Sequence, residues 1–235
     1  MKIERLTWDS SFFDCNVFAV YIDSCDDVPI EDVYMQLKQS GADVAYVFIQ
    51  GPLPELHNSL LQHSAILYDK KITYSKILAT GKEISASYKA EMYIGDVTAE
   101  LLSLAYAAGA FSRFRIDPKF SPKFKPLYTR WITNALNSNC NERVFVIKEG
   151  NKINGMVTCK IENDGGKIGL IATADEVRRS GKGMQLMAAI EKYYVTNQVK
   201  SSRAITQLDN SKACGFYEKC GYSREKIEYV FHWWI

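Results

Sequence analysis

The tightest constraint on this chain lies between Lys167 and Gln207. An apolar strand-like run at residues 167–173 leads into a basic loop with two glycines. An amphipathic stretch at 184–196 and a second short strand at 203–207 follow. Leu186, Met187, Ile190, Tyr193 and Tyr194 recur at the spacing of one buried helical face. Strand, crossover helix and strand make a βαβ unit, which requires two parallel neighbouring strands.

The rest of the chain supplies elements on both sides of this unit. Residues 17–22 and 44–49 are β-branched and aromatic, so they read as strands. Residues 30–39 between them have helical spacing at Val33 and Leu37, and 54–63 reads as a second helix. Small, polar residues 79–89 (ATGKEISASYK) read as a linker. Beyond it come a helix at 97–111 that Asp96 or Thr98 would cap, and another at 125–137. Strands at 143–148 and 153–161 form a hairpin about Glu149-Gly150-Asn151, and Asp164-Gly165-Gly166 turns the chain into the βαβ unit. A helix at 211–219 has Asn210 as N-cap and Gly221 just past its end, and 227–235 alternates as a strand. The division expected is a small α/β domain, 1–85, followed by a larger one, 90–235, within a chain of 235 residues.

Several function classes are disfavoured. A net charge of +2, with Lys and Arg scattered, does not make the basic stripe of a nucleic-acid binder. The longest apolar stretch, 101–111, is interrupted by Ser103 and Gly109 and is too short to span a bilayer. The N-terminus is charged where a signal peptide needs an apolar run, so a cytoplasmic location is expected. Six cysteines without a CxxC pair read as reduced thiols. His57, His63 and His232 lack metal-ligand spacing, so no metal is expected and each reads as a surface or satisfied residue.

Two motifs carry chemistry. Val177 to Met184 opens the helix of the βαβ unit. A helix N-terminus offers unpaired N–H groups and a positive dipole end to an anion. Gly181 and Gly183 allow close approach of a pyrophosphate, and Arg178, Arg179 and Lys182 add charge beside Ser180. Alone, this loop reads equally well as a basic solvated turn. The second motif is Asn210-x-x-Ala213-x-x-Phe216-Tyr217-x-x-x-Gly221-Tyr222. Ala213, Phe216, Tyr217 and Cys220 share one helical face, on which Tyr217 carries a hydroxyl. By itself Tyr217 would pass for a core aromatic. Cys214 reads as packing, since no His accompanies it.

Together, RRSGKG and NSKACGFYEKCGY resemble the paired motifs of the GCN5-related N-acetyltransferases (GNAT family). More narrowly the chain is similar to the dTDP-fucosamine acetyltransferases of surface-polysaccharide synthesis. That likeness rests on residues 6–13 (LTWDSSFF), 112–115 (SRFR), 167–173 (KIGLIAT), 205–210 (ITQLDN) and 231–235 (FHWWI). The resemblance implies an α/β GNAT fold, in which a mixed central sheet has two splayed parallel strands and a smaller α/β unit precedes it. It implies acetyl-CoA as co-substrate, with the pantetheine arm between the splayed strands. A bulge near residues 172–174 would offer a backbone N–H to the thioester oxygen. The implied cofactor contacts are Ile171, Ala172, Thr173, the loop from Val177 to Met184, Asn210, Ala213 and Phe216. Tyr217 would protonate the leaving thiolate, a transfer from a group of pKa near 10 to one near 8.5. No side chain stands out as general base. Asp175 and Glu176 depart from the pattern by placing two acids before the basic loop.

For the acceptor the resemblance implies a nucleotide-linked amino-deoxysugar. Arg113 and Arg115 flank Phe114. They read either as a clamp for its diphosphate or as a solvated helix end. Asp117-Pro118 starts a loop whose Phe120 would help wall the acceptor site. Trp8-Asp9 and Phe12-Phe13 read as core or interface. Tyr229, Phe231, Trp233 and Trp234 are more aromatic surface than a sheet edge leaves in water, which leads us to expect a homodimer, as does the resemblance. Other readings are an acetyltransferase for an aminoglycoside, polyamine or peptide N-terminus, and a non-catalytic CoA-binding module.

Overall fold

A computed structural model describes residues 1–23, 29–78, 89–137, 141–163 and 165–235. Apart from Lys89, the expected linker lies outside the described residues, as does Asp164 of the expected turn. In chain order the elements are β1 (Lys2–Arg5), α1 (Thr7–Phe13), β2 (Val17–Ile22), α2 (Ile30–Gln39), β3 (Val44–Gln50), α3 (Pro54–Gln62), β4 (Ile66–Ile77), β5 (Ala90–Met92) and α4 (Ala99–Ala108). They continue with α5 (Arg113–Ile116), α6 (Phe124–Leu136), β6 (Glu142–Glu149), β7 (Lys152–Glu162), β8 (Gly165–Thr173), α7 (Lys182–Thr196), β9 (Ser201–Gln207), α8 (Ser211–Lys219) and β10 (Ser223–Trp234). Thr98 caps α4 by accepting from the Leu101 N–H, and Asn210 caps α8 through the Ala213 N–H.

The strands form one sheet in the order β1-β2-β3-β10-β4-β9-β8-β7-β6-β5. Two pairs are parallel, β2/β3 and β8/β9, each joined by a crossover helix. The fold is thus mixed α/β, with the expected βαβ unit at its functional end. The expected units 1–85 and 90–235 share this sheet, because β10 is hydrogen-bonded to β3 on one flank and to β4 on the other.

That position corrects one expectation. The aromatic alternation of the last strand is not an exposed edge. Phe231 and Trp233 are fully buried against α2 and α3, while Val230 and His232 pack on the opposite face against the aromatic residues of α1, α5 and α6. Burial inside the subunit accounts for these side chains, so they offer no ground for a dimer. β4 has no counterpart in the sequence reading. Its lysines are matched by acids of neighbouring elements, Lys71 with Glu228 at 2.6 Å and Lys76 with Glu191 at 2.8 Å, which lets a charged segment occupy the middle of the sheet. No described helix is long and apolar enough to cross a membrane.

Candidate active site

β8 and β9 pair from Gly165↔Ser201 only as far as Ile168↔Ala204, and then diverge. The divergence coincides with a bulge. Val157 faces Ile171 and Cys159 faces Ile168, so Gly169 and Leu170 together oppose the single residue Thr158. The Leu170 N–H donates to Thr158 Oγ1 at 2.9 Å in place of a ladder bond. A Cβ on residue 169 would collide with that same oxygen. The bulge is therefore at 169–170 and not, as expected, near 172–174, because an inserted threonine hydroxyl decides its position. Beyond it the Ala174 N–H reaches Asn154 O on β7 at 2.8 Å. By alternation, the N–H groups of Ile171 and Thr173 point away from β7, into the gap left by β9, while that of Ala172 points to β7.

The basic loop stands at the mouth of this gap. Gly181, with φ +80°, precedes α7, whose start has no side-chain cap. The first α7 amide paired among the described residues is that of Gln185, to Gly181 O at 3.1 Å, and the uncapped N–H groups before it are of the kind that receive an anion. The loop is braced by Ser180 Oγ–H donating to Val177 O at 2.6 Å and by Arg179 in the left-handed region at φ +63°. The two acids that depart from the pattern are held aside: Asp175 pairs with Arg178 at 2.5 Å and Glu176 with Lys152 at 2.5 Å. Lys182 pairs with Glu149 at 2.7 Å. A Cβ on Gly183 would lie 3.0 Å from the Phe216 ring, so this glycine sets the close approach of α7 to α8. Uncapped amides, a glycine-lined approach and compensated acids suit a pyrophosphate group.

Behind the gap is a cavity of about 840 Å³. Ile171 of β8, Asn210, Ala213 and Tyr217 of α8 and its cap, and Arg113 of α5 all line it. Tyr217 comes from the buried face of α8, with its ring 5.6 Å from that of Tyr74. Burial pushes its phenol well above the usual value, so the hydroxyl keeps its proton across the working pH range.

Arg113 is the expected acceptor residue that faces the cavity. Its guanidinium lies 4.0 Å from the Tyr46 ring centroid and 4.4 Å from that of Phe114, and donates to His232 Nε2 at 3.1 Å. His232 is fully buried, and its Nδ1–H donates to Asp117 Oδ2 at 2.6 Å. Burial lowers the His232 pKa to about 4, so the ring is neutral and this tautomer can donate to Asp117 while accepting from Arg113. Burial works to raise Asp117, but hydrogen bonds from His232, the Lys119 N–H and Trp234 Nε1 hold it below the usual carboxylate range. The relay Asp117–His232–Arg113 thus fixes the guanidinium. Arg115 and Phe120 do not join it on the wall. At about 100° per residue, two positions along α5 turn Arg115 away from Arg113, and it is exposed over the Phe124 ring. Phe120 is buried among Phe13, Tyr46, Phe114, His232 and Trp234.

Asp69 on β4 also lines the cavity and escaped the sequence reading. It is 8% exposed, and its Oδ1 has no hydrogen-bond partner among the described residues. Burial, opposed by Arg113 and Gln207, pushes its pKa up to about 6. An acid flanked by Tyr68 and two lysines looks like a solvated residue. Only the alternation Leu67, Asp69, Lys71 signalled that it shares a face with other strand residues.

Comparison with known proteins agrees with this geometry. The acetyltransferase (GNAT) family pattern matches residues 110–222. A dTDP-fucosamine acetyltransferase of Escherichia coli O6:H1 is 26% identical over 97% of this chain and 96% of that protein. Among solved structures, a conserved protein of unknown function from Staphylococcus epidermidis superposes with TM-score 0.64 at 13% identity, covering 93% of this chain and 84% of that one. A GCN5-related N-acetyltransferase from Sphaerobacter thermophilus gives TM-score 0.59 at 11% identity, covering 98% and 75%. Motif pair, splayed strands and family match coincide: residues 110–222 form an acetyltransferase domain of the GNAT family.

Proposed function

We propose that this enzyme transfers acetyl from acetyl-CoA, the co-substrate of its family, to the amine of a nucleotide-linked amino-deoxysugar. Tyr217 acts as general acid. The observation that carries the reading is that Tyr217 and a positioned arginine, Arg113, line a single cavity beside the strand gap. The relative from Escherichia coli, named for a nucleotide sugar, supports the acceptor class. The cavity wall bears Lys71, Arg113, Lys160 and Lys167 against Asp69, Glu142 and Glu162, a balance that suits a diphosphate better than a polycation.

In this reading the co-substrate's pyrophosphate rests on the amides at the start of α7, and the Ile171 N–H faces the thioester oxygen. A preorganised donor of that kind contributes about a hundredfold or more in rate. Arg113 holds the acceptor's diphosphate, a charge-assisted contact of roughly 1.5–3 kcal/mol. A cytoplasmic location and assembly as a homodimer belong to the same proposal, and sedimentation of the purified protein tests the second. The acceptor is tested with acetyl-CoA and a panel comprising a nucleotide-linked 4-amino-6-deoxysugar, its free sugar, a polyamine and an aminoglycoside, read by thiol release. The nucleotide form should exceed the free sugar at least about tenfold in kcat/KM, the lower end of that contact energy. Equal rates on the two would remove the nucleotide-sugar assignment.

A further inference from the structure

The reaction leaves a proton unassigned. At neutral pH an alkyl amine arrives as its ammonium, which has no lone pair to attack with, and Tyr217 holds its own proton too tightly to accept one. Something on the cavity wall must remove a proton before the C–N bond forms.

Three acids line the cavity: Asp69, Glu142 and Glu162. Glu162 pairs with Lys160 on its own strand, and both lie at the end of β7 beside the paired part of β8 and β9, away from the gap. Glu142 pairs with Lys160 across the β6/β7 ladder at the same end. Asp69 stands apart from that end. It lies on β4, opposite Val230 in the β10 register and two residues before Lys71, which pairs with Gln207 where β9 has left β8. It is more than nine-tenths buried, and one carboxylate oxygen finds no donor among the described residues. A buried carboxylate oxygen without a donor is costly to folding unless a ligand satisfies it.

Facing Asp69 are Arg113 from α5, Tyr128 from α6, Gln207 and Asp209 at the end of β9, and Lys71 on its own strand. Arg113 attracts the Asp69 charge without a hydrogen bond to its Oδ1, and donates to His232 instead. The orphan oxygen is thus open to a further cationic donor from the cavity. We propose that Asp69 receives the acceptor's ammonium group and takes one of its protons. This rests on the acetyltransferase reading above and adds the base which that reading lacks.

The protons balance. The ammonium gives one proton to the Asp69 carboxylate and becomes a free amine. The amine nitrogen bonds to the thioester carbonyl carbon, and the C–S bond breaks with its electron pair on sulfur. Tyr217 protonates the thiolate and is restored by the second proton of the now cationic nitrogen. Asp69 later gives its proton to water, so the net reaction releases one proton to solvent.

The test compares wild type with Asp69→Asn and Asp69→Glu across pH 5.5–9.5. The acceptor is the nucleotide-linked 4-amino-6-deoxysugar, or otherwise the best amine of the panel. In wild type kcat should fall below pH about 6, where the carboxylate takes up a proton. The Asn variant keeps the shape and the acetyl-CoA affinity by calorimetry, loses about a hundredfold in kcat at pH 7, and regains most of it towards pH 9.5 as the amine loses its proton unaided. The Glu variant recovers part of the neutral-pH rate. A purely structural role would give a deficit independent of pH. That flat deficit, a wild-type profile without an acidic limb, or an Asn variant within threefold of wild type would each overturn the proposal while the acetyltransferase reading stands. A wild type that releases no thiol with any amine of the panel would overturn both.

Discussion

The bulge that parts β8 from β9 can be tested with two side chains. Gly169→Ala places a methyl group against Thr158 Oγ1, although Thr158 Cβ is 3.6 Å from the same point, an ordinary contact. The methyl must push the hydroxyl aside, and an overpacked site of this kind costs about 1–3 kcal/mol. Displacing the hydroxyl also strips the half-buried Leu170 N–H of its acceptor at 2.9 Å, which adds about 1–3 kcal/mol. The single variant should thus lose roughly 2–6 kcal/mol, the sum of the two. Thr158→Ala loses only the acceptor, about 1–3 kcal/mol. In the Thr158→Ala background Gly169→Ala meets no oxygen, and its further cost should fall below about 0.5 kcal/mol. The coupling between the sites is then at least about 1.5 kcal/mol, well above the error for independent positions. Urea unfolding of the four proteins, with acetyl-CoA titrated into each, measures it. Additive losses would show that the hydroxyl does not hold the bulge. An unchanged acetyl-CoA affinity in Gly169→Ala would separate the bulge from the cofactor gap.

Three further outcomes follow from the site. Gly183→Val puts a branched side chain where a Cβ alone is 3.0 Å from Phe216, so α7 and α8 separate and calorimetry should detect no binding of CoA; unchanged affinity would misplace the pyrophosphate site. Tyr217→Phe should lower kcat about a hundredfold with little change in KM for acetyl-CoA, since its proton is needed only as the thiolate leaves; a wild-type kcat across pH 6–9 would remove Tyr217 from the mechanism. His232 has its folded pKa lowered, to about 4, so it stabilises the fold fully above pH 6.5 and that stability is lost as pH falls towards 4. Over that window wild type should lose about 3 kcal/mol more than His232→Asn in urea unfolding, and parallel pH curves for the two would refute the buried neutral imidazole.

Local sequence determined the parts whose information is local. The apolar spacing at 184–196, Asn210 before α8 and the glycines of the basic loop specify a βαβ unit and the uncapped start of its helix through helix periodicity, capping and backbone freedom. Each acts within a few residues, so it survives in a bare sequence. Tertiary structure decided what depends on partners far along the chain. β10 reads as an aromatic edge until β3 and β4 close on both its flanks. β4 gives no strand signal in its charged sequence, and takes its place in the sheet as acids from β10 and α7 meet its lysines. The bulge sits at Gly169 and Leu170 because a hydroxyl on β7 takes an amide of β8. Arg113 and Asp69 look like solvated charges, and they become buried groups facing one cavity only when α5, β4 and β10 pack together. Desolvation, which gives them their chemistry, is a property of that packing and has no signature in the spacing of residues along the chain.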